Sequence, residues 1–387
     1  MYLDYAATTP VHPSVLETML VVMGQEFGNP SSVHQFGRKA RYILDSAKAT
    51  LATSIGAKEN EIIITSGGSE SNNLAIFGVI NQLSQRAGKH IITTQIEHAS
   101  VQEPMSYLEA EGFEVTYLAT KKDGTICLEE LQQAIRPDTV LLSTMMVNNE
   151  TGVIMPIKEM SALIRKQNPA IIFHTDAVQA YETQTIDVTE LGIDLLSTSA
   201  HKISGPKGVG FLFKRQGCKI ESLVKGGEQE ENKRAGTENI AGIAGFASAV
   251  KIMKNPENDV ISQIQSLRDT FLRGIAGQVA FEINGDNANK APHILNIWFP
   301  GIPSNLLIPH LDLAGVAISA GSACSSGSVK SSHVLVSMFG PESPRNTESI
   351  RVSFGPDLTI TDIESATKIL VKTISKIQDL LQKEVSI

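Results

Sequence analysis

Between residues 37 and 213 short apolar runs alternate with helical repeats, and this alternation constrains the chain more than any other feature. Residues 37–55 place Ala40, Ile43, Leu44, Ala47 and Leu51 on one helical face. Residues 61–65, 90–94, 113–118, 139–146, 170–175, 195–199 and 209–213 read as strands, and 70–85, 100–111, 128–135 and 157–167 as helices between them. Near-continuous apolar strands separated by helices predict an α/β fold with a mostly parallel sheet covered on both faces. Ligands of such sheets gather beyond the strand ends. Gly67, Asp176 and Ser199 all fall there.

The pattern changes near residue 255, where Asn255, Pro256 and Asn258 mark a break. A helix is predicted over 260–275, strands over 279–283 and 294–299, and helices over 304–313 and about 361–382. The expectation is a large domain over 13–255 and a small α+β domain over 256–387. No internal repeat or low-complexity segment is visible.

Composition narrows the function. Hydrophobic residues are 42% and charged residues 19% of the 387, which argues for a folded enzyme and against disorder. The net charge of −8 carries no long block of one sign, so no direct nucleic-acid role is expected. No apolar run reaches the roughly 18 residues of a membrane helix. The N-terminus lacks a basic region followed by an apolar one, so neither a signal peptide nor a membrane partner is expected. Cys127, Cys218 and Cys324 are odd in number and far apart, which disfavours a disulfide framework and a zinc site. Reduced thiols fit a cytoplasmic location, and no metal is expected.

Lys202 follows a short apolar run, in the segment Ser199, Ala200, His201, Lys202. Asp176 lies some 26 positions earlier at the end of another run, with Gln179 close by. That pairing suggests pyridoxal 5'-phosphate: the lysine amine condenses with the aldehyde, and the carboxylate keeps the pyridine nitrogen protonated as an electron sink. Either residue alone reads as an ordinary surface group. Gly67, Gly68 and Ser69 join a strand to a helix, as an anion cradle or as a plain capping turn. His98 sits at a strand-to-helix junction, either stacked on the ring and moving protons or simply hydrogen-bonded in place. Asn149 is a turn residue or a polar contact to cofactor or substrate. Arg351, in an apolar setting, needs an anion: a substrate carboxylate or an internal partner.

Cys324 lies in a loop of small residues over 320–328. Most lone cysteines are small buried hydrophobes. A thiol on a Gly/Ser-rich loop is suited to taking a group at one site and delivering it at another, as a thiolate. Cys127 and Cys218 have no such setting.

Taken in order along nearly the whole chain, these segments resemble the cysteine desulfurases of the NifS/IscS type, within the class V aminotransferase-like, fold-type-I pyridoxal phosphate enzymes. The matching segments begin with Asp4, Tyr5, Ala6 and Ala7 and with Gly28, Asn29 and Pro30. They continue through Gly67 to Asn73, Glu97-His98, Asn148 to Gly152, Asp176 to Gln179, His201-Lys202, Arg234 to Asn239, the Cys324 loop and Arg351. The resemblance implies a large seven-stranded domain, and a small C-terminal domain on which residues 1–12 pack. It implies that Lys202 carries the Schiff base, Asp176 pairs with the ring nitrogen, Gln179 contacts the ring oxygen and His98 stacks on the ring. Gly68, Ser69, Ser199 and His201 would hold the phosphate, with Thr237 reaching the phosphate of the other subunit of a homodimer. Asn149 and Arg351 would hold the substrate carboxylate.

The expected activity is conversion of L-cysteine to L-alanine, with sulfur held as a persulfide on Cys324. The expected recipient is a sulfur-acceptor protein, an iron–sulfur scaffold or a tRNA-thiolation enzyme. The alternatives are a selenocysteine lyase, another class V aminotransferase, or a non-catalytic binding protein of the same fold. Three departures stand out: Ser69 where many members carry threonine, Glu231 where an arginine is common, and an end at Ile387 without the long tail that many members use to dock a scaffold. The last counts against a scaffold partner of that kind.

Overall fold

The computed structural model describes residues 1–83, 89–321 and 331–385. Seven strands form the main sheet: β1 (Ile62–Thr65), β2 (His90–Thr94), β3 (Glu114–Leu118), β4 (Thr139–Met145), β5 (Ile172–Asp176), β6 (Leu195–Ser199) and β7 (Gly210–Lys214). Their order is β1-β7-β6-β5-β4-β2-β3. The pairs from β6 through β3 are parallel, while β7 runs antiparallel to both β6 and β1. β1 therefore points the same way as β6, and its carboxyl end joins those of β2, β4, β5 and β6 along one edge.

Side-chain alternation explains why the strands are apolar throughout. Ile62, Ile64, Leu142, Leu196, Phe211 and Phe213 enter the core on one face. Ile63, Leu141, Leu195 and Leu212 enter the core on the other. Helix Gly68–Leu83 supplies Leu74, Ala75, Val79 and Ile80 to the second face. On the first face, helix Ile240–Met253 packs against helices Pro13–Gln25 and Gln35–Thr53.

A smaller antiparallel sheet contains β8 (Glu282–Ile283), β9 (Ile294–Trp298) and β10 (Ser349–Ser353), in the order β10-β9-β8. Leu295, Ile297, Ile350 and Val352 meet helices Val260–Ile275 and Ile360–Val385 in a separate core, which Leu3 and Tyr5 also enter. The separation is incomplete: Ile294 and the short helix His333–Phe339 pack into the main core.

The helical and strand periods locate most elements within two residues. The predicted strand over 279–283 shrinks to Glu282–Ile283, because the Val279 N–H is spent on the Ile275 carbonyl as the preceding helix closes. The helix predicted over 70–85 starts earlier, at Gly68; residues 84 and 85 lie outside the described residues.

Candidate functional site

β6 ends at Ser199, and a single 3-10 turn, Ala200–Lys202, carries His201 and Lys202 beyond the sheet edge. Backbone bonds from Ala200 to the Val209 carbonyl (3.1 Å) and from Gly205 to the Ala200 carbonyl (3.0 Å) fix the turn. Lys202 Nζ donates to the carbonyls of Ala6 (2.5 Å) and Ala7 (2.8 Å). The N-terminal strap is tied down further by Thr9 Oγ1, which donates to the His201 carbonyl at 2.9 Å.

Asp176 closes β5 and is buried. Its Oδ1 accepts from the Val178 N–H (2.9 Å) and its Oδ2 from Asn72 Nδ2 (2.7 Å). These donors offset the cost of burying a carboxylate. Gln179 Nε2 donates to the Ala6 carbonyl at 2.8 Å, while His293 Nε2 lies 3.4 Å from Gln179 Oε1. Burial, with Lys202 and Arg351 nearby, pushes His293 down to about 3, so it is a neutral ring. His98 is the N-cap of helix Ala99–Ala110, and its Nδ1 accepts from the Ser100 N–H at 3.1 Å.

The Gly67–Gly68 junction has the shape of a cradle. Gly67 has φ 149, a left-handed value that favours glycine. A Cβ on Gly68 would lie 2.7 Å from Val178 Cγ2, so no larger residue fits without a shift. Helix Gly68–Leu83 begins there with Ser69, presenting its N-terminal dipole. Ser199 is buried beside it. His201 is pushed down to about 4 by burial, then by Lys202 and Lys207, so it meets an anion as a hydrogen-bonding ring rather than as a cation.

Arg351 lies on β10 and is 3% exposed. Its two terminal nitrogens donate to the Asn149 carbonyl (2.9 Å) and to Asp4 Oδ1 (2.8 Å). Among the described residues its buried Nε has no partner. The internal ion pair left open by the sequence is therefore present, and toward the described residues a donor is still unused. Beside Asn149, the buried Glu150 accepts from Ser332 Oγ at 2.5 Å, and its Oε2 would lie 2.8 Å from a Cβ on Gly321. Burial pushes the Glu150 carboxyl up. Cys324 lies outside the described residues.

Gly68, Ser69, His98, Asn149, Asp176, Gln179, Ser199, His201, Lys202 and Arg351, all predicted site residues, line one cavity of about 280 Å³, together with Gly321. That is close to the lower end of small-molecule sites, roughly 300 Å³. A backbone cradle at one end, a buried carboxylate, a lysine, and a buried guanidinium with a spare donor fit pyridoxal phosphate. Thr237 is not among the lining residues; it is exposed, close to Arg234, which pairs with Glu70 at 2.9 Å. Glu231 is also exposed, with φ 54. A larger cavity of about 480 Å³, lined by Val11, His12, Glu182, Met253 and Asp357 among others, contains none of the predicted residues.

Sequence reasoning missed Asn72, Ser100, Glu97 and His293 as parts of this site. Each has at least one partner from a distant segment: Met145 for Glu97, Asn72 for Ser100, Asp176 for Asn72 and Gln179 for His293. Asn72 and Glu97 lie inside quoted motifs and Ser100 two residues beyond one, which was the available signal; His293 had none. Among the described residues no cluster suited to a metal ion occurs, and no helix is long and apolar enough to cross a membrane.

A family model described as Aminotransferase class-V matches residues 1–365. The chain is 46% identical over 380 residues to a putative cysteine desulfurase IscS 1 of Bacillus subtilis (strain 168), covering 97% of this chain and 99% of that one. It is 45% identical over 381 residues to the cysteine desulfurase IscS of Dictyoglomus turgidum, covering 98% and 96%. Among solved structures, a NifS-like protein superposes with a TM-score of 0.90 at 33% identity, over 97% of this chain and 99% of the other. SspA in complex with cysteine superposes with a TM-score of 0.82 at 36% identity, over 92% and 99%.

Proposed function

This chain belongs to the class-V aminotransferase family, within which it is a cysteine desulfurase dependent on pyridoxal 5'-phosphate, and from that premise we propose how its residues divide the work. The activity takes the sulfur from L-cysteine and leaves L-alanine. The observation that carries the assignment of roles is the convergence of Lys202, Asp176, His98 and Arg351 on one cavity.

When bound, the cofactor supplies a ring that draws electrons from the bonds of an attached amino acid. Lys202 tethers it and handles the Cα proton. Asp176 holds the proton on the ring nitrogen, Gln179 holds the ring oxygen, and His98 covers the ring face and serves the substrate thiol. Gly68, Ser69, Ser199 and His201 hold the phosphate. Arg351 and Asn149 orient the substrate carboxylate, a role supported by the spare buried Nε of Arg351. Cys324 takes the sulfur as a persulfide; Gly321, three residues before it in the sequence, lines the cavity.

The proposal includes a homodimer in which Thr237 of each copy completes the phosphate site of the other. Support comes from exposed apolar side chains on and between the first two helices: Leu20 (68%), Met23 (65%), Phe27 (69%) and Val33 (90%). It includes a large domain over 13–255 and a small one over 256–387 with 1–12 packed on it, supported by Leu3 and Tyr5 in the second core. It also includes a cytoplasmic location, and delivery of sulfur to an iron–sulfur scaffold or a tRNA-thiolation enzyme.

The test supplies L-cysteine and measures alanine and protein-bound sulfur. Cys324→Ser should keep the cofactor and bind cysteine yet form no persulfide. Normal sulfur release by that variant without added thiol contradicts the relay role. Selenocysteine and a keto-acid acceptor, offered in parallel, separate the lyase and aminotransferase alternatives by product.

A further inference from the structure

Asn72 is fully buried on helix Gly68–Leu83 and bonds both Asp176 and Ser100, two residues that line the cavity with it. Its Nδ2 donates to Asp176 Oδ2 at 2.7 Å and to Ser100 Oγ at 2.8 Å. An ionised carboxylate only accepts, so the amide nitrogen must face Asp176. Both of its hydrogens are then used, while among the described residues the buried amide oxygen has no partner. An orphaned acceptor costs stability, so this side chain contributes through its two donors.

The bonding continues to His98. Ser100 Oγ accepts from Asn72 and lies 2.8 Å from His98 Nδ1. The Ser100 backbone N–H also points at Nδ1, and a backbone N–H can only donate. Nδ1 is therefore an acceptor in the neutral ring, and the proton sits on Nε2.

We infer that Asn72 is a positioning residue for this reaction: one amide fixes the orientation of Asp176 and, through Ser100 Oγ, steadies the His98 ring, whose tautomer the Ser100 backbone N–H sets. The cofactor's ring-nitrogen partner and the imidazole that covers the ring are thereby held in register by one side chain. This inference rests on the proposed roles of Asp176 and His98.

The test compares Asn72→Ala, Ser100→Ala and Asp176→Asn holoenzymes by kinetics, by visible absorption across pH, and by NMR of ¹⁵N-labelled histidine, with His98 assigned through His98→Gln. Native His98 should show a protonated Nε2 and a bare Nδ1. Asn72→Ala should lower kcat roughly 10- to 100-fold, the range known for outer-shell partners of metal ligands. Its KM for cysteine should stay within about threefold, because Asn72 is apart from the carboxylate pair. The pH midpoint of its visible band should move. Ser100→Ala should alter the His98 signals and leave the visible band in place. Native kcat and band in Asn72→Ala overturn the inference. If that variant does not fold, unchanged His98 signals in Ser100→Ala overturn it instead. An unchanged band in Asp176→Asn means that the underlying assignment of Asp176 has failed; an altered band there with a native Asn72→Ala removes only the positioning role.

Discussion

Lys202 Nζ lies 2.8 Å from the carbonyl oxygen of Ala7, so the N-terminal strap is fastened to the side chain proposed to anchor the cofactor. Gln179 donates to the carbonyl of Ala6, the preceding residue in the same strap. Lys202→Ala should therefore remove covalent attachment and all turnover. The cores of both sheets are untouched, so circular dichroism should show a native fold. Turnover above background in this variant would contradict the lysine's role.

Arg351 spans two acceptors with one planar group, the Asn149 carbonyl and Asp4 Oδ1. A lysine cannot reproduce that fork. Arg351→Lys should raise KM for cysteine about tenfold or more and lower kcat less, as loss of substrate positioning requires. Unpairing buried groups should also cost about 1–3 kcal/mol in denaturant unfolding. A native KM with lowered stability would leave only the internal ion pair.

Glu97, the residue before His98, is buried, and its Oε1 accepts from Thr94 Oγ1 (2.6 Å) and the Met145 N–H (3.0 Å). Among the described residues its Oε2 has no partner, and burial pushes the carboxyl up to about 8. Unfolded, a glutamate titrates near ~4.3. Between those values the native state binds the extra proton, so stability from this group is complete below about 4.3 and is lost as pH rises through about 8. Urea unfolding at pH 5.5 and pH 8.5, conditions chosen to bracket most of this window, should show a decline that is smaller in Glu97→Gln. Parallel declines in the two proteins would refute the buried neutral acid.

Ser332 caps helix His333–Phe339 by accepting from the Leu335 N–H (3.1 Å), and it donates to Glu150. Ser332→Ala should cost about 1–2 kcal/mol from the lost cap alone, with Ser332→Thr restoring most of it. Equal melting of all three proteins would contradict this account.

The sheet was legible because its strands are apolar on both faces, and the lysine, acid and glycine cradle were legible because each sits at a strand end. β10 was not read as a strand, because Arg351 interrupts its apolar run and its side-chain partners, Asp4 and Asn149, come from distant segments. Asn72 and His293 were illegible for a similar reason: a buried amide or imidazole in sequence looks like any other until the opposite strand end arrives. The helix His333–Phe339 is only seven residues long, too short for a periodicity to declare itself.

The most direct measurement is borohydride reduction of cofactor-saturated protein followed by peptide mass analysis. The account predicts that the peptide containing Lys202, and no other, gains the mass of the reduced cofactor. An unmodified Lys202 peptide, or modification at a different lysine, would contradict it.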